Sequence, residues 1–300
     1  PSRHVAATIP FAPVGEPGDR GPRIGSSGHR RFDVRSVTRG LRHADVTVRN
    51  LAELQRSALV VWPENAVDVD PFRDRQSGQS ILRTQQSLQA PLLVGAVVRR
   101  VDGRAGNASV LVDQRGFSEI YAKQRLVPFG EFMPLRRLIE AYTSRAELMP
   151  VDFAPGDSDG WVGVDGRRLG LLICFEVADD NLAWDRSYPF GGLIVQTNNG
   201  TYDGLGQSEQ QMLYARVRAI ENDAPVFVAS TNGQSAVISA DGKLRATIAQ
   251  GSSGFISGPI GDEHTPTFAA HLHDFEVTGI LLIAGLAVIL RIRARSRVRP

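Results

Sequence analysis

Six short apolar runs rich in branched side chains recur along this chain, each bounded by turn residues: Ser57–Trp62 (SALVVW), Leu92–Val98 (LLVGAVV), Ala108–Val112, Leu169–Cys174 (LGLLIC), Leu193–Thr197 (LIVQT) and Val226–Ser230. Runs this short and this branched read as buried strands. Between them, helical patterns fill Ala44–Arg56, Gly78–Gln89 and Gly206–Asn222, the last with Met212, Ala215, Val217, Ala219 and Ile220 at helical spacing. Strands alternating with helices predict an α/β fold. The Ala240-Asp241-Gly242-Lys243 turn between Ser235–Ser239 and Leu244–Ile248 is a hairpin signal, so part of the sheet is expected to be antiparallel. No internal repeat recurs at a fixed period.

The two ends of the chain behave differently. It begins at Pro1 with no charged-then-apolar leader, as a fragment of a longer protein would. Residues Phe11 to Arg31, rich in Gly, Pro, Ser and Arg, read as a mobile surface segment. Val277 to Leu290 (VTGILLIAGLAVIL) carries no charge, and Phe275 to Ile292 reaches the lower end of the roughly 17–25 residues that a membrane helix needs. A buried core helix is the alternative, but it would carry a polar stripe, and here Thr278 stands alone. Arg291, Arg293, Arg295, Arg297 and Arg299 follow, and positively charged flanks stay on the cytoplasmic side. The preceding domain is then expected outside the cytoplasm.

That tail also explains the formal charge of +2, because without its five arginines the chain holds 29 basic against 32 acidic groups. A body of this kind offers no electrostatic footprint for nucleic acid. One cysteine excludes an internal disulfide and a Cys-based zinc site. Of 34 basic residues only Lys123 and Lys243 are lysine, so a chain that uses Arg almost everywhere keeps Lys at two places.

Three reactive side chains fall at strand ends. Glu64 follows the first run in Trp62-Pro63-Glu64-Asn65, where Pro63 ends the strand and projects the next residue from the sheet's edge. It reads as a general base or as a surface acid in a turn. Lys123 follows a strand-like Ser118–Tyr121 and is either a solvated lysine or a compact ammonium set against a developing oxyanion, a task to which Arg is poorly suited. Cys174 ends its run and precedes Phe175-Glu176, a strand-to-turn placement like a nucleophile elbow; alone it is equally a small buried hydrophobe. The chemistry suits the set. A thiol is about 1–2 units too weak an acid to be mostly thiolate at neutral pH, so a carboxylate must take its proton, and a tetrahedral oxyanion needs a fixed cation.

Glu64, Lys123 and Cys174, in that order and each at a strand end, resemble the triad of the nitrilase, or carbon–nitrogen hydrolase, superfamily. Lys123 with Arg125-Leu126-Val127-Pro128-Phe129-Gly130-Glu131-Phe132-Met133-Pro134-Leu135 resembles the K-x-x-L-V-P-F-G-E-Y-x-P-L signature of the apolipoprotein N-acyltransferase family, and Cys174-Phe175-Glu176 its C-[YF]-E. Gln196-Thr197-Asn198-Asn199-Gly200-Thr201-Tyr202, Ser208-Glu209-Gln210-Gln211 and Ala215 to Glu221 are similar to its next strand and helix.

The resemblance implies a nitrilase-like α-β-β-α sandwich over residues 1–262, a linker over 263–274, a transmembrane helix over 275–292 and a basic cytoplasmic tail over 293–300. It also implies a ping-pong acyl transfer at a bacterial inner membrane, with the catalytic domain on the extracytoplasmic side. Glu64 would deprotonate Cys174, which would take an acyl chain from a phospholipid as a thioester and pass it to the amine of a diacylglyceryl-cysteine on an apolipoprotein. Lys123 would stabilise both intermediates, with Glu131 and Glu176 positioning Lys123 and the nucleophile turn, or else serving as buried structural acids. No metal or organic cofactor is implied. The Phe132–Pro150 stretch, with two of three methionines, reads as an acyl-chain entry surface or as a packed loop, and Trp184 and Tyr188 share that ambiguity. His4, His29, His43, His264, His271 and His273 fall outside the triad motifs.

The sequence also departs from the family. That family places several transmembrane helices ahead of its catalytic domain, and its first strand usually carries Gln-Gly-Asn where this chain has Ala6-Ala7-Thr8-Ile9-Pro10. Two other readings remain: an amidase or nitrilase using the same triad with water as acceptor, and a membrane-tethered binding protein that keeps the fold without the chemistry.

Overall fold

A computed structural model describes residues 4–9, 43–136, 152–186, 190–200, 206–262, 267–268 and 276–296. Two six-stranded sheets form the body. The first contains β1 (His4–Ile9), β2 (Leu59–Val61), β3 (Leu92–Arg99), β4 (Ala105–Asp113), β5 (Gly116–Ala122) and β12 (Gly254–Pro259), in the order β12-β1-β2-β3-β4-β5. The second contains β6 (Trp161–Val164), β7 (Arg167–Ile173), β8 (Leu193–Thr197), β9 (Val226–Ser230), β10 (Ser235–Ile238) and β11 (Leu244–Ile248), in the order β11-β10-β9-β8-β7-β6. Each sheet has three parallel strands at its centre, β1-β2-β3 and β7-β8-β9, flanked by antiparallel partners.

The sandwich follows from period-two alternation with apolar residues on both faces. Val5, Leu59, Val61, Leu93, Leu169, Leu171, Ile173, Ile194 and Phe227 point between the sheets into one core. Their neighbours turn outward. Val60, Trp62, Leu92 and Val94 pack against Leu54 of α2 (Leu51–Leu54) and Ile81 and Leu88 of α3 (Arg75–Leu88), while Ala44 comes from α1, at 43–49. On the far side Leu172, Leu193, Val195 and Val226 meet Leu182 of α4 (Asp180–Asp185) and Met212, Ala215 and Ala219 of α5 (Gln207–Glu221). Because the central strands β2, β3, β7, β8 and β9 are covered on both faces, each reads in sequence as an apolar run. The result is an α-β-β-α layering.

The expected strands and helices are present with small changes of boundary. Asp74 caps α3, accepting from the Ser77 N–H at 2.8 Å, and so starts the helix three residues before the sequence pattern does. The β10–β11 hairpin forms as expected. β6 and β12 were not legible: β6 is four residues long and its exposed positions break the apolar run, while Gly254 and Gly258 dilute β12. The Phe11–Arg31 segment lies outside the described residues.

The helix α6 (Glu276–Ser296) covers the charge-free run. Among the described residues no helix is long and apolar enough to cross a membrane. The described side chains of α6 run from 279 to 291, and Ile280, Leu281, Leu282 and Ile283 are 66% to 72% exposed. Four consecutive positions sample the whole circumference of a helix, so this stretch is apolar on every side and exposed on every side.

Candidate active site

Glu64 stands just beyond β2, which lies in the middle of its sheet between β1 and β3, so the residue leaves a central strand rather than the sheet's edge. Pro63 and Glu64 pass directly over Gly95 of β3. A Cβ there would lie 2.1 Å from the Pro63 carbonyl oxygen and 2.7 Å from the Glu64 Cα, so only glycine admits this approach. The carboxylate is buried. Its Oε1 accepts from Asn107 Nδ2 at 2.5 Å, and its Oε2 accepts from the Asn198 N–H at 2.7 Å. Thr231 Oγ1 donates to its backbone carbonyl at 3.0 Å.

Lys123 follows β5 and is 1% exposed. Its backbone is held on both sides, the N–H donating to Asn107 O at 2.8 Å and the carbonyl accepting from the Gly156 N–H at 2.9 Å. The ammonium lies 2.8 Å from Glu131 Oε1 and 3.6 Å from Glu64 Oε1. Lys243, by contrast, is exposed and pairs with Asp241 in the β10–β11 turn. Of the two lysines the chain retains, one is buried among carboxylates and one is an ordinary surface residue.

Cys174 begins a 3-10 turn, Cys174–Ala178, directly after β7, with φ of 56°. A side chain in that left-handed region is uncommon, and it marks the sharp strand-to-turn reversal expected of a nucleophile elbow. The thiol is buried at the edge of the core between the sheets. Glu176, two residues on, ties this turn to the lysine loop. Its Oε2 accepts from the Ile173 N–H at 2.7 Å, its Oε1 from the N–H groups of Gln124 at 2.7 Å and Arg125 at 3.0 Å, and both oxygens accept from the Tyr121 hydroxyl.

The electrostatics follow from taking these groups out of water together. Burial, then the Glu64 carboxylate, push the Cys174 thiol up to about 12, against the pull of the Lys123 ammonium and a hydrogen bond with Thr197. The direction of that shift favours the protonated thiol in the resting site. Burial also raises Glu64 above the ordinary carboxylate value; Lys123 pulls it back and Glu131 adds to the rise. For Lys123 burial disfavours the charge, but the Glu64 and Glu131 carboxylates outweigh it and hold the group above its usual value. The arrangement is a weakly acidic thiol, a carboxylate made more basic by burial, and a cation held charged by its neighbours.

Asn107, Tyr121, Thr197 and Asn198 were not singled out individually from sequence. Asn107 sits one residue before the run assigned to β4 and is 1% exposed. A buried amide in an apolar strand was the signal available, since such a group persists only with partners. Its Nδ2 reaches Glu64 and Glu131, the latter at 3.3 Å. His43, remote in sequence from the site, packs on the Trp62 ring at 5.4 Å between centroids. Of the Phe132–Pro150 stretch, residues 137–150 lie outside the described residues, as does Tyr188; Met133 is buried and Leu135 exposed. Among the described residues no cluster of His, Cys, Asp or Glu is arranged to hold a metal ion.

Solved structures share this architecture. Saccharomyces cerevisiae Nit3, a member of branch 10 of the nitrilase superfamily, superposes with a TM-score of 0.60 at 16% identity, over 87% of this chain and 90% of its own. An amidase from Nesterenkonia sp. does so with a TM-score of 0.60 at 15% identity, over 87% of this chain and 91% of its own. Curated relatives are more similar in sequence. An apolipoprotein N-acyltransferase of Mycolicibacterium smegmatis is 34% identical over 77% of this chain and 40% of its own length. One of Pseudomonas syringae pv. tomato is 30% identical over 82% and 49%. The chain thus spans less than half the length of these relatives. Residues 33–263 match the carbon-nitrogen hydrolase family, and they contain the strand ends that carry Glu64, Lys123 and Cys174; the chain belongs to that family.

Proposed function

We propose that the chain carries the catalytic domain of an apolipoprotein N-acyltransferase. The observation that supports this most is the Glu64–Lys123–Glu131 cluster electrostatically coupled to the chain's one thiol, in a sequence 34% identical to a curated enzyme of that name. Glu64 accepts the Cys174 proton as Sγ attacks the carbonyl carbon of a phospholipid ester. The oxyanion of the tetrahedral intermediate faces the Lys123 ammonium. Collapse breaks the ester C–O bond, the proton returns from Glu64 to the departing alkoxide, and a lysophospholipid leaves behind a thioester. The α-amine of a diacylglyceryl-cysteine then attacks the thioester carbonyl, Glu64 takes the amine proton, and the thiolate leaves and recovers it. The products are an N-acylated lipoprotein and the free thiol. Glu131 and Glu176 act in this reading as positioning residues.

The reading extends to location. Phe275–Ile292 spans the bacterial inner membrane with Arg291–Arg299 on the cytoplasmic side, and the 1–262 domain works outside the cytoplasm, joined by 263–274. The unpartnered apolar surface of α6 and the arginines after it support this assignment.

The test is the intermediate. Full-length protein in phospholipid vesicles without lipoprotein acceptor accumulates a hydroxylamine-sensitive thioester, seen by mass spectrometry as one acyl chain on the Cys174 peptide. The adduct is absent in Cys174→Ala and much reduced in Glu64→Gln. An enzyme that forms no thioester with any phospholipid, yet releases ammonia from small amides through Cys174, is a hydrolase, and the acyltransferase reading is then wrong.

A further inference from the structure

Glu64 and Lys123 belong to one sheet and Cys174 to the other, so the reacting geometry depends on how the two sheets are registered across an apolar seam. Apolar contact is non-directional and does not by itself fix a register to the precision that proton transfer needs. A polar side chain crosses the seam next to the base. Gln196 of β8 donates from Nε2 to the Trp62 carbonyl oxygen at 2.5 Å and accepts at Oε1 from Ser109 Oγ of β4 at 2.5 Å. Gln196, Ser109 and Trp62 are each no more than 1% exposed.

Trp62 lies two residues before Glu64. The strand itself completes the connection: Gln196 pairs in parallel register with Ile173, the residue before Cys174, and the Asn198 N–H holds Glu64 Oε2 at 2.7 Å. The end of β8 therefore holds the base and lies beside the residue that precedes the nucleophile, within three consecutive positions. We propose that Gln196 is a positioning residue, which sets the placement of Glu64 relative to Cys174 by clamping the end of β2 to β8. The proposal rests on the reading of Glu64 as base and Cys174 as nucleophile.

The chemistry of the clamp is specific to an amide. One end donates to a carbonyl and the other accepts from a hydroxyl, and the glutamine amide does both without depending on a titrating proton. Methionine keeps much of the volume and neither bond.

The experiment uses the full-length protein and iodoacetamide, with modification read on the Cys174 peptide by mass spectrometry. Alkylation rates are measured from pH 5 to 10 for the wild type, Gln196→Met, Glu64→Gln and the double variant. Gln196→Met is expected to slow alkylation at pH 7 about tenfold to a hundredfold, as about 1 Å of misplacement does, and to flatten the limb of the profile that follows Glu64. In the Glu64→Gln background the same substitution is expected to change the rate less than about twofold, because a residue that acts through Glu64 has nothing left to position. A wild-type rate in Gln196→Met, or equal slowing in both backgrounds, overturns the proposal. If Gln196→Met does not fold, Ser109→Ala releases the other end of the clamp; slowing that vanishes in Glu64→Gln supports the proposal, and its absence overturns it. A wild-type rate in Glu64→Gln alone refutes the base reading and the clamp with it, an outcome distinct from one in which Glu64→Gln is slow and Gln196→Met is not.

Discussion

Glu131 holds the Lys123 ammonium at 2.8 Å through Oε1, while its Oε2 accepts from the Val127 N–H at 2.9 Å. The acid is thus fixed by the backbone of its own loop and in turn fixes the cation. Glu64 stands farther off, at 3.6 Å from the same nitrogen. The distances divide the labour between the two carboxylates: one anchors the charge, and the other stays available to a proton.

That division sets the effect of Glu131→Gln. The Glu131 charge raises Glu64, and losing it also leaves Lys123 freer to stabilise ionised Glu64. Both changes favour the carboxylate, so the acid limb of thioester formation should move to lower pH, while the plateau drops about tenfold to a hundredfold as the ammonium loses its anchor. A pH–rate profile of the variant checks this, and an acid limb that stays in place or moves up contradicts it.

Lys123→Arg should abolish turnover in a folded protein. A guanidinium is planar and spreads its charge over three nitrogens, in a site where the lysine is enclosed by Glu64, Glu131 and the thiol. Losing an oxyanion contact of this sort lowers the rate on the order of 10²–10³-fold. Lys123→Met probes the same charge through stability. It leaves the buried Glu64 and the partly buried Glu131 without a cation, at about 3–5 kcal/mol near neutral pH. With Glu64 raised further in the folded state than in the unfolded chain, the folded form binds the proton more tightly, so stability should recover as the pH falls through that folded value. Denaturant unfolding at pH 7 and pH 5 measures both effects.

The elbow should be visible as stored backbone strain. Cys174 adopts φ of 56°, which disfavours any residue with a Cβ by roughly 1–2 kcal/mol. Among inactive variants, Cys174→Gly should therefore be more stable than Cys174→Ala by about 1 kcal/mol, although glycine elsewhere in a fold is usually the worse of the two. Equal or reversed midpoints of unfolding would mean that the turn carries no such strain.

Much of this molecule was legible because its strands are covered on both faces. Leu169 to Ile173 or Leu193 to Val195 cannot avoid being apolar, and the reactive residues come where those runs stop. Glu64 and Cys174 were named for that reason, Lys123, which follows the partly exposed β5, by the scarcity of lysine, and Glu131 and Glu176 through their motifs. Asn107 and Gln196 could not be singled out. Their importance lies in partners 43 and 134 residues away, and no local pattern marks a long-range hydrogen bond. Glu64 was placed at a sheet edge because proline favours edges; Pro63 lies just past the end of a central strand, where it owes the ladder no N–H.

A thiol kept protonated and buried has a consequence for survival as well as for turnover. Oxidation and adventitious alkylation follow thiolate content and access, and Cys174 offers little of either between reactions. On the proposed reading, with Cys174 as nucleophile and Glu64 as its base, this thiol should outlast a low-pKa cysteine in oxidising surroundings, because it ionises only while a substrate is there to receive it.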